Sequence, residues 1–167
     1  PSGHVDYGLL YREIFPIAQI AYSNFQSDRI QLEMKYGSFD GFKLNHAWLQ
    51  KYACFQVLKS LHQNDSWWLW DDEFRNPVDI KCTVSAYVEE CDFHIFLQYI
   101  FFAQWNELKS YANDKGIFIL GDLPIYAAPD SSDVWANQAL FQLDSMSSSF
   151  RNVAGVPPDY FNQDGQS

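Results

Sequence analysis

Asp122 stands one glycine beyond a run of four apolar residues, Ile117-Phe118-Ile119-Leu120, in the stretch GIFILGDLPIYAAPDSSDVWAN (116–137). A carboxylate in that place can accept hydrogen bonds from ligand hydroxyls, or it can serve as an acid, a base or a nucleophile. It can also do no more than cap a loop. Tyr126 follows on a loop bracketed by Pro124 and Pro129. A second candidate group closes VAGVPPDYF (153–161), where Pro157-Pro158 stiffen a loop that ends in Asp159-Tyr160-Phe161. An ordinary surface turn accounts for that segment too, but two rings and a carboxylate on a stiff loop lean towards a ligand-facing role. Rings of this kind stack on flat apolar faces such as sugars present.

Glycoside chemistry needs two carboxyl groups flanking one bond, about 5–5.5 Å apart for a retaining enzyme. Asp122 and Asp159 are the pair on offer, and spacing along the chain does not set their separation. Asp130 and Asp133 read as caps rather than acids, because Ser131-Ser132-Asp133 open a short helix that runs through Trp135. His4, His46, His62 and His94 are scattered and read as structural or solvated. Cys54, Cys82 and Cys91 are odd in number and far apart, with no metal-ligand spacing, so reduced thiols and a cytoplasmic setting are the simplest account. No Ser/His/Asp arrangement, phosphate-binding glycine loop or metal-binding helix presents itself.

The elements that must position these groups follow from the distribution of Gly and Pro. From Phe42 to Lys115 there is no Gly and only Pro77, whereas four Gly and four Pro fall from Gly116 onward. The first region is expected to be helical and the last rich in loops. Asp6 to Phe25 suggests a first helix, weakened or kinked at Pro16, with Leu9, Leu10, Ile14, Ile17, Ala18 and Ala21 near one face. Gly37 and Gly41 mark a break. Asn45 to His62 suggests one helix capped by Asn45, with Trp48, Leu49, Tyr52, Phe55, Leu58 and Leu61 as its stripe. Trp67-Trp68-Leu69-Trp70 is expected to pin a helix–helix corner rather than to form a binding platform. Asn76-Pro77 starts a further helical pattern that reaches Asn113 as two pieces joined near Cys91-Asp92. Its second half carries Phe93, Phe96, Leu97, Ile100, Phe101, Trp105, Leu108 and Ala112, a face wide enough to be nearly buried. Lys115 and Gly116 end it.

The IFIL run after that helix and glycine predicts a buried parallel strand. Gly121 is expected to let the backbone turn, so that Asp122 faces the open end of a sheet, where α/β proteins collect ligands. A parallel strand needs parallel neighbours, and none is recognisable here, so the chain reads as part of a larger α/β protein. Its start at Pro1 also suggests a fragment or a processed product.

Bulk properties narrow the field. The chain has 167 residues and a formal charge of −10, which disfavours nucleic acid and anionic membrane as partners. No run approaches the ~20 apolar residues of a membrane helix. Aromatics make up 18% of the chain, which points first to an aromatic-rich core.

GIFILGDLPIYAAPDSSDVWANQALFQLD (116–144), VAGVPPDYF (153–161) and DGQ (164–166) together closely resemble the 4-alpha-glucanotransferases, also called amylomaltases or disproportionating enzymes. HIFLQYIFFAQWNELKSYANDKG (94–116), AWLQKYACFQVLK (47–59) and VDYGLLYREIFP (5–16) are similar to earlier segments of that family, in the same order. The resemblance implies an α/β fold, here a partial (β/α)8 TIM barrel dominated by a helical insertion, with few strands. Residues 1–115 would be the insertion, and residues 116–167 a barrel strand with its active-site loops. It implies transfer of α-1,4-glucan segments between maltooligosaccharides by retaining double displacement, with no cofactor and no metal. Asp122 would bind glucosyl hydroxyls beside the cleavage point, and Tyr126 would be a further substrate-binding residue. Asp159, Tyr160 and Phe161 would guide the acceptor or product chain from a loop over the cleft.

The Arg-x-Asp-His motif of the family's nucleophile does not occur in the chain, nor does the segment of its acid/base Glu. Lys51 stands where the family commonly has an acidic residue. The chain is therefore expected to be an internal, catalytically dead piece whose uncovered strand edges either associate with another copy or pair in a way the parent enzyme does not use. The alternative from another class is a non-enzymatic helical glucan-binding module.

Overall fold

The computed structural model describes residues 4–77, 85–144, 155–158, 160 and 162–165. Helices dominate it: α1 (Tyr7–Ser27), α2 (Ile30–Tyr36), α3 (Phe39–Asn45), α4 (Trp48–Leu61), α5 (Asp72–Arg75), α6 (Val88–Asp114) and α7 (Ser132–Ala136), with 3-10 turns at Trp67–Leu69 and Gln138–Leu140. Among the described residues there are no strands beyond isolated bridge positions at Leu143 and Val156. None of the described helices is long and apolar enough to cross a membrane. The chain divides into two compact units, one of residues 1–53 and 87–120, the other of residues 54–86 and 121–167.

In the first unit, Asp6 caps α1 by accepting a hydrogen bond from the Leu9 amide at 2.9 Å. The helix continues through Pro16. Ser38 caps α3, and Glu33 Oε1 accepts from the Phe39 amide at 2.9 Å. The core is aromatic. Phe25, buried, lies edge-on to Phe39 at 5.3 Å and 5.0 Å from Phe96. Tyr99 joins this group and donates its hydroxyl to the carbonyl of Gly37 at 2.6 Å, so α6 holds the turn between α2 and α3. Lys43 of α3 and Asp92 of α6 pair at 2.6 Å.

Three sequence expectations shift here. Asn45 does not cap a long helix; it ends α3, and α4 begins at Trp48. The helical pattern is not broken at Cys91-Asp92, because α6 runs unbroken from Val88 to Asp114, and Cys91 is buried inside it. The wide apolar face of α6 is covered in its first half only: Cys91, Ile95, Phe96 and Tyr99 are buried, whereas Phe101, Trp105 and Leu108 are exposed. At 1.5 Å per residue this helix reaches roughly 40 Å, and the aromatic cluster around Phe25 and Phe39 meets only its first half. The helix start expected at Asn76-Pro77 leads into residues 78–84, which lie outside the described ones.

The second unit is built on tryptophan. Cys54, Phe55, Leu58, Trp67, Trp70, Val134 and Trp135 form its core, joining the last turns of α4 to α7. A buried indole N–H needs a partner, and each of the three has one. Trp67 Nε1 donates to the Pro129 carbonyl, Trp70 Nε1 to that of Asp65 and Trp135 Nε1 to that of Phe74, all at 2.9 Å. The Trp67–Trp70 cluster thus pins a corner, as its composition suggested, and its first and last rings are too deeply buried to serve as a platform.

Candidate functional site

Helix α6 ends in the way its sequence predicts. Lys115 is the cap residue and Gly116 adopts φ +74°. The Gly116 amide donates to Asn113 O and the Ile117 amide to Ala112 O, both at 2.9 Å, which satisfies two terminal carbonyls. Beyond this cap, residues 117–120 carry no regular secondary structure. Ile117 to Leu120 are therefore not a buried strand: no ladder forms, and the run is exposed, Leu120 at 95%. A strand's backbone groups and side chains are satisfied by neighbouring strands, and none is present among the described residues. Gly121 also departs from expectation. It has no positive φ, and a Cβ there would meet nothing within 4 Å, so the turn does not require glycine.

Asp122 and Tyr126 lie on an open loop of the second unit, exposed throughout residues 121–129, with Tyr126 at 62%. The loop becomes fixed at its downstream end. Asp130 Oδ2 accepts from Lys59 Nζ at 2.5 Å, and Asp130 Oδ1 accepts from the Trp67 amide at 3.2 Å. The Pro129 carbonyl takes the Trp67 indole N–H. Ser131 then caps α7 by accepting from the Val134 amide at 3.3 Å. Asp130 is therefore a fastening between α4, the Trp67 turn and the loop, not a helix cap. Sequence reading missed Lys59, because spacing cannot pair residues 71 positions apart.

On the second candidate segment, Tyr160 is 95% exposed. Asp159 and Phe161 lie outside the described residues. Gly165 lies close against the proline loop. Gly165 has φ +75°, and a Cβ there would stand 2.5 Å from the Val156 carbonyl oxygen and 3.4 Å from the Pro158 nitrogen. Asn162 closes the intervening turn: its Oδ1 accepts from the Asp164 amide at 3.0 Å and its carbonyl from the Gly165 amide at 3.3 Å. Among the described residues, no three His, Cys, Asp or Glu side chains gather into a metal site. The arrangement offers hydrogen-bonding and stacking groups on open loops.

The family model described as 4-alpha-glucanotransferase matches residues 2–167. The chain is 41% identical to a 4-alpha-glucanotransferase of Thermus thermophilus and 38% identical to one of Synechocystis, in both cases over 99% of this chain and 33% of the relative. An amylomaltase from Streptococcus agalactiae, solved in complex with acarbose, superposes with a TM-score of 0.83 at 36% identity, over 97% of this chain and 32% of that one. The chain thus spans about a third of the length of the relatives it matches. Because the family match runs through both candidate loops and nearly every residue besides, this chain belongs to the 4-alpha-glucanotransferase family.

Proposed function

We propose that these 167 residues are the glucan-holding segment of a 4-alpha-glucanotransferase, which moves α-1,4-glucan segments between maltooligosaccharides by retaining double displacement. Residues 1–115 are read as a helical insertion in a (β/α)8 barrel, and residues 116–167 as one barrel strand with its active-site loops. Asp122 accepts hydrogen bonds from glucosyl hydroxyls, Tyr126 lies along the same loop, and Asp159, Tyr160 and Phe161 guide the outgoing or incoming chain. The nucleophile and acid/base come from outside this chain, no cofactor takes part, and the expected compartment is the cytoplasm. One observation carries the reading: an exposed carboxylate on the 121–129 loop, inside a chain that matches the family over residues 2–167. The acarbose complex of the Streptococcus agalactiae amylomaltase supports a glucan-like ligand.

Two assays test it. The purified 167-residue chain, incubated with maltotriose, is expected to yield neither longer oligomers nor glucose; turnover that survives repurification overturns the reading. In the full-length enzyme, Asp122→Asn is expected to weaken transfer through poorer transition-state binding. A nucleophile or general acid replaced in this way would lose roughly 10⁴-fold or more in kcat. A loss on that scale would make Asp122 a reacting group instead.

A further inference from the structure

We propose that Lys59 is a positioning residue for the glucan loop, and that it acts through Asp130. The inference rests on reading residues 121–129 as a glucan site. The loop is fastened to its own unit at its downstream end. There, Lys59 directs its ammonium to three oxygens: the carbonyls of Asn64 and Asp65, each at 2.9 Å, and Asp130 Oδ2 at 2.5 Å. All three of its N–H donors are used, and its side chain is only 15% exposed.

The same ammonium stabilises an unusual turn. Gln63 and Asn64 both have positive φ, at 55° and 66°, a conformation that few side chains favour and that persists where surrounding contacts over-determine it. Lys59 bonds the carbonyls that follow, and the Asn64 amide returns to the Lys59 carbonyl at 2.8 Å. Trp67, just beyond this turn, donates its backbone amide to Asp130 and its indole N–H to Pro129. The end of α4, the strained turn and the Trp67 corner therefore converge on two consecutive residues, Pro129 and Asp130. Those two set where the loop bearing Asp122 and Tyr126 returns to the core. A small displacement of binding groups is enough to weaken ligand contacts, so Lys59 controls glucan affinity without touching glucan.

The test uses the full-length enzyme carrying these residues, with maltotriose as substrate and circular dichroism as the check of folding. Lys59→Met is expected to raise KM about tenfold while kcat stays within about twofold, the pattern of lost uniform binding. Lys59→Arg keeps the charge but replaces the compact three-donor ammonium with a planar fork, so it is expected to restore KM only in part, to a value between the parent and Lys59→Met. A merely structural lysine would lower the unfolding temperature and leave the KM of the folded protein unchanged, and that result overturns the proposal. If Lys59→Met does not fold, Trp67→Phe decides: it removes the donor to Pro129 and keeps a ring, and an unchanged KM again overturns the proposal. Asp122→Ala separates the two readings. If it raises KM and Lys59→Met does not, only the positioning role falls; if Asp122→Ala changes neither KM nor kcat, the loop is not the glucan site and both fall.

Discussion

Gly165 and Val156 approach so closely that no side chain fits between them: a Cβ on Gly165 would stand 2.5 Å from the Val156 carbonyl oxygen. The contact brings Gly165 against the backbone of Val156 and Pro158. Gly165→Ala faces two penalties. The left-handed conformation costs about 1–2 kcal/mol for a residue with a Cβ, and the clash with backbone forces the loop to move. Proteolysis at this turn is expected to accelerate several-fold while the midpoint of global unfolding changes little. Gly121→Ala is the control, because its backbone is ordinary and its surroundings are open. Equal protection of the two variants would show that the contact does not hold the loop.

His94, on α6, is pushed down to about 4 by burial alone. The neutral ring is the form the fold accepts, so the folded value lies below the unfolded one near 6.5. The associated stability is therefore complete above pH 6.5 and is lost as pH falls through 4. Between pH 7 and pH 4.5 the loss should be roughly 2 kcal/mol. His94→Leu is expected to remove most of this acid limb, as measured by denaturant unfolding at the two pH values. An identical pH dependence in the variant would rule out His94 as its source.

Local signals were legible where a residue acts on its own neighbourhood. Ser131 capping α7, and Lys115-Gly116 closing α6, are short-range hydrogen-bond chemistry, so the residue types suffice to find them. The Trp67–Trp70 corner followed from the need to bury large rings. Failures occurred where partners lie far along the chain. IFIL reads as a strand because its composition suits one, but a strand exists only with its neighbours. The stripes on α1 and α6 announced apolar faces without saying what covers them, and Leu9, Leu10, Ile14 and Ile17 remain exposed. Asp130 looked like a cap because it precedes one; its pairing with Lys59 is a tertiary event. Of the candidate site, the loops and their exposure were readable, and their anchoring was not.

Tyr99 links α6 to the turn between α2 and α3 through one hydroxyl, which donates to Gly37 O at 2.6 Å and lies 3.3 Å from Leu32 O. Tyr99→Phe keeps the ring among Phe25, Phe39 and Phe42 and leaves those carbonyls without the donor. The cost is expected to be about 1 kcal/mol, seen as a lower denaturant midpoint with an unchanged m-value. Burial raises the Tyr99 hydroxyl above its ordinary value of 10.0, with the charge of Glu33 adding to the effect. The stabilisation is therefore complete below pH 10 and fades as pH climbs beyond it. Stability in the variant should fall less steeply above pH 10, and an equally steep fall would assign the alkaline limb to other groups.

Ile117-Phe118-Ile119-Leu120 presents apolar side chains to solvent outside any helix or ladder, with Phe118 at 81% exposure. Exposed, uncharged, apolar segments pair readily with another chain. Burying one such side chain contributes about 1.5–3 kcal/mol, which is tenfold or more in an association constant. The 167-residue chain is expected to elute with an apparent mass that rises with loading concentration. Phe118→Lys and Leu120→Lys should each move the midpoint of that transition at least about tenfold towards higher concentration. The comparison distinguishes this segment from the exposed face of α1, where Ile14→Lys serves as the matched substitution. A concentration-independent monomer for the unmodified chain rejects the idea. An effect confined to Ile14→Lys would move the contact to α1.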